Sequence, residues 1–346
     1  MKIFESLKPY LKKIVSVFVA IGISLGLLSS FAADTNISTR SLVVREGLRT
    51  VMNTIDPKGG GTLFSKLAGK ITTTPSVYRP SKGYEYKKVQ IENCTLEVLT
   101  KTESENKAKV IYQIHGGAFV FAMQDLYRWQ AEKWSELCGG ATVVMIDYRL
   151  APDSVFPAAH DDVLDGWNWI TQNGYEAKNI VVTGDSAGGN LALSLVLSLR
   201  DMKKELPAAV VAMSPWADLA AEGESYTANI YKDPMFGIKE GKEVEIDIRN
   251  MGKIYAGDTD LHNPALSPAY AEYDGFCPTL IQVGTYEVLY SDSATVNEKM
   301  KKAGVDVTFS EYEGMWHVFQ IFGSLIPEGE AAWNEAGAFA SKNLYK

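Results

Sequence analysis

From Lys88 to the C-terminus, short apolar runs alternate with longer stretches whose apolar residues recur at helical spacing. Val110-Ile-Tyr-Gln-Ile114, Thr142-Val-Val-Met-Ile146, Ile180-Val-Val182, Val210-Val-Ala-Met213, Thr279-Leu-Ile-Gln-Val283 and Val305-Asp-Val-Thr-Phe309 each predict a strand. Helices are predicted between most of them, over Leu126 to Leu137, Asp161 to Thr171, Asn190 to Leu199, Asp292 to Ala303 and Glu328 to Ser341. Nearly unbroken apolar strands separated by helices imply an α/β fold, with a mostly parallel central sheet covered by helices on both faces. Just before this series, Val89, Ile91, Leu96 and Val98 alternate with polar residues around Glu92-Asn93, which predicts an antiparallel hairpin with one wet face.

Two stretches break the alternation. Residues 33–82 carry a helical pattern (Leu42, Val43, Leu48, Val51), then Gly59-Gly60-Gly61 and a short apolar run from Leu63 to Ile71, and read as a helical cap segment. Between Pro215 and Pro278 the chain is too long for a structureless loop, so residues 217–262 are expected to form a second piece of cap. The catalytic domain is then expected to run over 83–346, with the caps over its strand ends.

Residues 1–32 stand apart. Lys2, Lys8, Lys12 and Lys13 precede an uncharged stretch from Ile14 to Ala33, and Ser30-Phe31-Ala32 supplies small residues at the −3 and −1 positions of a cleavage site. The segment reads as a signal peptide or, left uncleaved, as an N-terminal anchor, since the run is long enough to span a bilayer. Either way the body is expected outside the cytoplasm: secreted, periplasmic or attached to the envelope. A membrane partner is expected only through that segment.

Of the 346 residues, 46% are hydrophobic and 22% charged, an ordinary globular composition. The formal charge of −8, with no stripe of Lys and Arg, argues against a nucleic-acid partner and leaves small molecules. Cys94, Cys138 and Cys277 have no metal-ligand spacing, so neither a zinc site nor a disulfide framework is indicated, and free buried thiols are expected.

The chemistry centres on Gly184-Asp-Ser-Ala-Gly188, which lies between the strand Ile180 to Val182 and a helix. Strand, tight turn and helix force such a serine into a strained conformation with its hydroxyl raised above the sheet. Ser186 therefore reads as a nucleophile, although a Gly/Ser turn can also be mere punctuation. A serine needs a base. Of the four histidines, His160 opens a helix and His262 falls in a Pro-rich connection, so each reads as a surface or capping residue. His317 follows the last strand, where the base is expected. After the preceding strand come Glu287 and Asp292; Glu287, nearer the strand end, is preferred as the acid, and Asp292 reads as the cap of the next helix. The order Ser, acid, His excludes a trypsin-like reading of Gly-Asp-Ser, whose histidine precedes its serine.

Acyl transfer also needs backbone N–H groups aimed at a developing oxyanion. Gly116 and Gly117, after the strand ending at Ile114, suit that task, with Ala187 at the start of the following helix as third donor. His115 is read as shaping this loop, and Ala118 and Phe119 are candidates for its structural or pocket-lining neighbours.

With these residues the chain resembles the hormone-sensitive lipase family of bacterial esterases. The resemblance rests on His115-Gly-Gly-Ala-Phe119, Asp147-Tyr-Arg-Leu-Ala-Pro152 with Phe156-Pro-Ala-Ala159, Gly184-Asp-Ser-Ala-Gly-Gly189, Ser214-Pro-Trp216, Ile281-Gln-Val-Gly284 and Glu313-Gly-Met-Trp-His317. It implies a capped α/β-hydrolase that cleaves small carboxylic esters of short or medium acyl chains and needs no cofactor or metal. It carries the nucleophile onto Ser186, the base onto His317, the acid onto Glu287, and the oxyanion donors onto Gly116, Gly117 and Ala187. Three positions depart from the family pattern. Ala118 stands for a third glycine and is expected to narrow the acyl pocket. Glu287-Val288 replaces the usual Asp-Pro. Trp316 replaces the proline before the histidine and is expected to line the pocket. The resemblance also admits a lactonase, an amidase or dehydratase, and non-enzymatic relatives that bind a ligand in the same cleft after losing the base.

Overall fold

A computed structural model describes residues 37–56, 76–238 and 248–346. The expected signal peptide, the Gly59 to Gly61 run and the stretch from Leu63 to Ile71 lie outside the described residues.

Helix α1 (Thr39–Ile55) precedes the hairpin β1 (Tyr84–Ile91) and β2 (Cys94–Lys101). The alternating series follows: β3 (Val110–Ile114), α2 (Asp125–Leu137), β4 (Thr142–Asp147), α3 (Ala158–Gln172), β5 (Ile180–Asp185), α4 (Ala187–Asp201) and β6 (Ala209–Met213). Between β6 and β7 (Thr279–Gly284) stand the short helices α5 (Ser225–Ala228) and α6 (Ile248–Ala256), and α7 (Tyr290–Lys302), β8 (Val307–Tyr312) and α8 (Pro327–Leu344) complete the chain. The eight strands form one sheet in the order β1-β2-β4-β3-β5-β6-β7-β8, antiparallel from β1 through β2 to β4 and parallel from there on.

Side chains alternate across this sheet, and both faces are covered. Val144, Ile146, Val182 and Val210 pack with Leu191, Leu195, Trp167 and Val296 of α3, α4 and α7. Val143, Met145, Val181 and Val211 pack instead with Trp134 of α2 and with Trp333 and Ala340 of α8. Coverage on both faces is why these strands read as continuous apolar runs. Helix α4 is buried almost all round, and the Asn190 amide is held by the carbonyls of Trp216 and Leu266 at 2.8 and 2.9 Å.

Two expectations change. The hairpin's wet face belongs to β1 alone, because α2 covers the outer side of β2. Fully buried Glu97 on that side is held by the Arg128 guanidinium through Nε and Nη2 at 2.6 and 2.7 Å, by the Lys88 ammonium at 2.8 Å and by the Tyr86 hydroxyl. The last strand begins at Val307, not Val305, and continues through Ser310, Glu311 and Tyr312. It is the edge strand and half solvated, so its polar end carries no apolar signal, whereas Val305 belongs to the turn closing α7, with its N–H on the Met300 carbonyl.

All three cysteines are free and buried. Burial pushes each thiol up to about 12.

Burial alone would raise the Glu97 carboxyl, but the hydrogen bonds from Arg128, Lys88 and Tyr86 outweigh it and hold the group below its ordinary value. A group depressed in this way stabilises the fold above the ordinary carboxylate range and loses that contribution as pH falls through its folded value. Arg128→Ala, which strands the buried carboxylate, is expected to lower stability by about 3–5 kcal/mol in urea unfolding at neutral pH.

Candidate active site

Strand β5 ends at Asp185 and α4 begins at Ala187, so the whole change of direction falls on Ser186, at φ 54° and ψ −121°. An L-residue reaches this region only at a cost in strain, and here the surroundings hold it: the Ser186 N–H donates to the Met213 carbonyl at 2.9 Å and its carbonyl accepts from Trp216 at 3.0 Å. The side chain is thereby lifted off the sheet. Its Oγ lies 2.9 Å from Nε2 of His317, and Nδ1 of His317 lies 3.0 Å from Oε2 of Glu287. The three residues are 6%, 4% and 0% exposed, respectively. A carboxylate can only accept, so the ring proton sits on Nδ1 and Nε2 is free to accept from the serine.

Glu287 is fixed on its other oxygen. Oε1 accepts from the Gly284 N–H at 2.6 Å and from the Ser214 hydroxyl at 2.7 Å, and Ser214 Oγ in turn accepts the Val318 N–H at 3.3 Å. Ser214 and Val318 both have positive φ, 47° and 52°, which is unusual for any side chain and more so for a β-branched one. Strain is therefore stored on both sides of the imidazole as well as at the serine.

Asp292 is elsewhere. It is not the cap of α7, a position held by Leu289, but lies within that helix's first turn. Its buried carboxyl accepts the N–H groups of Ala217 and Asp218, both at 2.8 Å, and the Tyr226 hydroxyl at 3.1 Å. Burial, and then the charge of Asp218, raise it well above its ordinary value. His160 meets the Ser198 hydroxyl at 2.9 Å, and exposed His262 pairs with Asp260 and Glu222 at 3.0 and 3.2 Å.

Two further expectations change, at Gly116 in the loop after β3 and at Trp316 before the histidine. Gly116 does not offer its N–H to the cavity, because that group donates to the Tyr127 hydroxyl at 2.9 Å. Its lack of a side chain serves packing: a Cβ would stand 2.4 Å from Oδ2 of Asp185. No acceptor meets the N–H groups of Gly117, Ala118 and Ala187 among the described residues, and Gly117 and Ala118 border the cavity beside Ser186. Phe119 does not line the pocket; its ring stacks on Tyr255 at 3.8 Å and anchors the loop in the core. Trp316 is likewise absent from the pocket wall, fully buried among Ile37, Met315 and Phe319, with Phe322 against its edge. His115 is buried, stacked on Tyr148 at 4.1 Å, with Nδ1 donating to the Gly116 carbonyl at 2.7 Å. Burial lowers its pKa, so it is a neutral brace for the loop.

The cavity in front of Ser186 has a volume of about 150 Å³, walled mainly by Phe121, Leu126, Met235, Phe236, Val318 and Ile321. The Phe236 ring lies 4.8 Å from that of His317. Asp185 also lines the cavity, and its carboxylate accepts from the Tyr127 hydroxyl at 3.0 Å. Ser214, Tyr127, Asp185 and Phe236 escape a reading of the sequence that looks for reactive groups. Ser214, inside Ser214-Pro-Trp216, and Asp185, inside Gly184-Asp-Ser-Ala-Gly188, carried a motif signal but no sign of their roles.

Residues 111–321 match the family described as the alpha/beta hydrolase fold. An acetyl-hydrolase of Streptomyces hygroscopicus is 34% identical over 72% of this chain and 81% of its own length. An esterase of Acinetobacter venetianus is 35% identical over 67% of this chain and 75% of its own. The crystal structure of an esterase from the bacterial hormone-sensitive lipase family superposes with a TM-score of 0.71 at 26% identity, covering 97% of this chain and 98% of the other. The chain belongs to the hormone-sensitive lipase family of α/β-hydrolases. With an acetyl-hydrolase and esterases among its relatives, it is a carboxylic ester hydrolase. In this esterase the carboxylate touching the imidazole is a glutamate, Glu287, and the neighbouring aspartate serves the fold.

Glu287→Gln is expected to lower kcat by about three orders of magnitude or more, by analogy with loss of the triad acid in serine proteases, while Asp292→Asn acts on stability first. Steady-state kinetics beside thermal melts separate the two; the reverse ranking overturns the assignment. A second expectation concerns pH. Burial raises the Asp185 carboxyl from 3.8 to about 6, with the Tyr127 hydrogen bond acting the other way. The folded state then binds more protons than the unfolded one in that window, so this group's contribution falls as pH rises through it. Asp185→Asn removes the loss, and its melting temperature relative to the parent is expected to rise with pH across the same window.

Proposed function

We propose that this family member hydrolyses short- to medium-chain carboxylic esters through an acyl-enzyme on Ser186. The observation that carries the reading is the unbroken hydrogen-bonded chain from the Ser186 hydroxyl through His317 to Glu287, opening on an apolar cavity. Ser186 Oγ attacks the ester carbonyl as Nε2 of His317 takes its proton, and Glu287 stabilises the imidazolium that forms. Negative charge gathers on the carbonyl oxygen, and the N–H groups of Gly117, Ala118 and Ala187 are the donors suited to it, helped by the positive end of α4. Collapse of the tetrahedral intermediate breaks the carbon–oxygen bond to the alcohol, which leaves with the proton from Nε2. Water then attacks the acyl-enzyme, giving up its proton to the same nitrogen, and the carboxylic acid is released as Ser186 recovers its hydrogen.

The volume of the cavity supports a small acyl group, as does the likeness to an acetyl-hydrolase. Ala118, with a methyl group where the family commonly has hydrogen, borders the same cavity and narrows it further. A substrate met outside the cytoplasm follows from reading residues 1–32 as an export segment.

Ser186→Ala is expected to abolish turnover of nitrophenyl acetate and butyrate and to prevent labelling by a fluorophosphonate, with the fold unchanged by circular dichroism. Retained turnover sinks the mechanism. Across a series of nitrophenyl esters, kcat/KM is expected to peak at short chains and fall steeply toward laurate.

A further inference from the structure

Part of the cavity wall comes from the segment 229–238, which supplies Met235 and Phe236. This segment closes on itself, with the Ile238 N–H on the Ile230 carbonyl at 2.8 Å and the Gly237 N–H on the Asp233 carbonyl at 3.0 Å. From outside, Arg49 of α1 donates to the carbonyls of Tyr231 and Lys232 at 2.9 and 2.6 Å.

Its inner attachment is more specific. The Asn229 side-chain amide, 5% exposed with its residue, donates to the carbonyls of Thr285 and Glu287 at 3.0 and 2.8 Å. The Asp233 carboxylate, 1% exposed, accepts the Val288 N–H on Oδ2 at 3.0 Å. The Glu287 carbonyl and the Val288 N–H are the two ends of one peptide group, so cap side chains grip that group from both sides. Oδ1 of Asp233 meanwhile accepts the N–H groups of Met235 and Phe236 at 2.8 and 3.3 Å. One carboxylate thus joins the backbone of the pocket wall to the backbone of the catalytic acid. A closing lid would have few such bonds to break, and this segment is bonded both to α1 and to the backbone from Thr285 to Val288.

We propose that 229–238 is a fixed wall, and that Asn229 and Asp233 are positioning residues that set Glu287, and through it His317, by gripping the Glu287–Val288 peptide. Acyl-chain preference and turnover are then coupled through Asp233. The inference rests on the catalytic reading of Ser186, His317 and Glu287. It assigns no chemical step to either residue.

The test compares Asn229→Ala and Asp233→Ala with the parent enzyme on nitrophenyl esters of graded chain length, with active sites counted by fluorophosphonate titration. Both variants are expected to titrate fully and to lose about tenfold to a hundredfold in kcat, with KM for the acetate ester within about twofold. Asp233→Ala, which also releases the wall, is expected to move the chain-length optimum, whereas Asn229→Ala leaves it in place. Full titration with unchanged kcat in either variant overturns the proposal, as does a loss of turnover proportional to lost titre, which is the mark of a merely structural role. Should Asp233→Ala give no soluble protein, Asn229→Ala alone decides by the same kcat and titre criteria. A parent enzyme that fails to label at Ser186 instead refutes the catalytic reading beneath the proposal.

Discussion

The site depends on a contact between two backbones. Gly188, in the first turn of α4, lies against the end of β3 so closely that a Cβ would stand 2.2 Å from the Ile114 carbonyl oxygen and 2.6 Å from that of His115. Distances so short are closed to every residue except glycine. The turn that presents Ser186 and the loop that presents Gly117 and Ala118 are therefore one rigid body, spaced by main-chain atoms with no flexible side chain between them. The Gly117 and Ala118 N–H groups, proposed to receive an oxyanion, are thereby held at a fixed distance from Ser186, the condition under which such donors are effective.

Sheet register carries the constraint outward. Ile114 pairs with Gly184, Asp185 with Met213, Met213 with Gln282 and Gly284 with Tyr312, so the loops bearing Gly117 and Ala118, Ser186, Ser214, Glu287 and His317 leave the sheet at about one level. Parallel strands make this possible because their carboxyl ends share one edge. Residues distant in the chain then meet without any long excursion of backbone.

What the sequence revealed follows the same division. The strand series, the helices and the pairing of Ser186 with His317 were legible, because a sheet buried on both faces writes unbroken apolar runs and a nucleophile turn writes glycines at fixed spacing. The choice between Glu287 and Asp292 rested on nearness to a strand end, and the hydrogen bond to His317 lies on Glu287. Less legible was the use of each polar group. Nothing in His115-Gly-Gly-Ala-Phe119 tells that Tyr127, from another element, occupies the Gly116 N–H and leaves Ala118 among the open donors. Trp316 sits one residue from the imidazole, yet the turn there points it into the core beside α1, a direction that periodicity does not encode. Asn229 and Asp233 act through main-chain atoms far along the chain, and such partners have no spacing rule at all.

The thiols bear on how such a chain reaches its folded state. With Cys94, Cys138 and Cys277 free and buried, no covalent cross-link braces the fold, and protonated thiols at neutral pH are poor partners for exchange. The native state therefore needs no oxidant to complete a covalent brace, and once folded its buried, protonated thiols stay out of exchange with the surroundings.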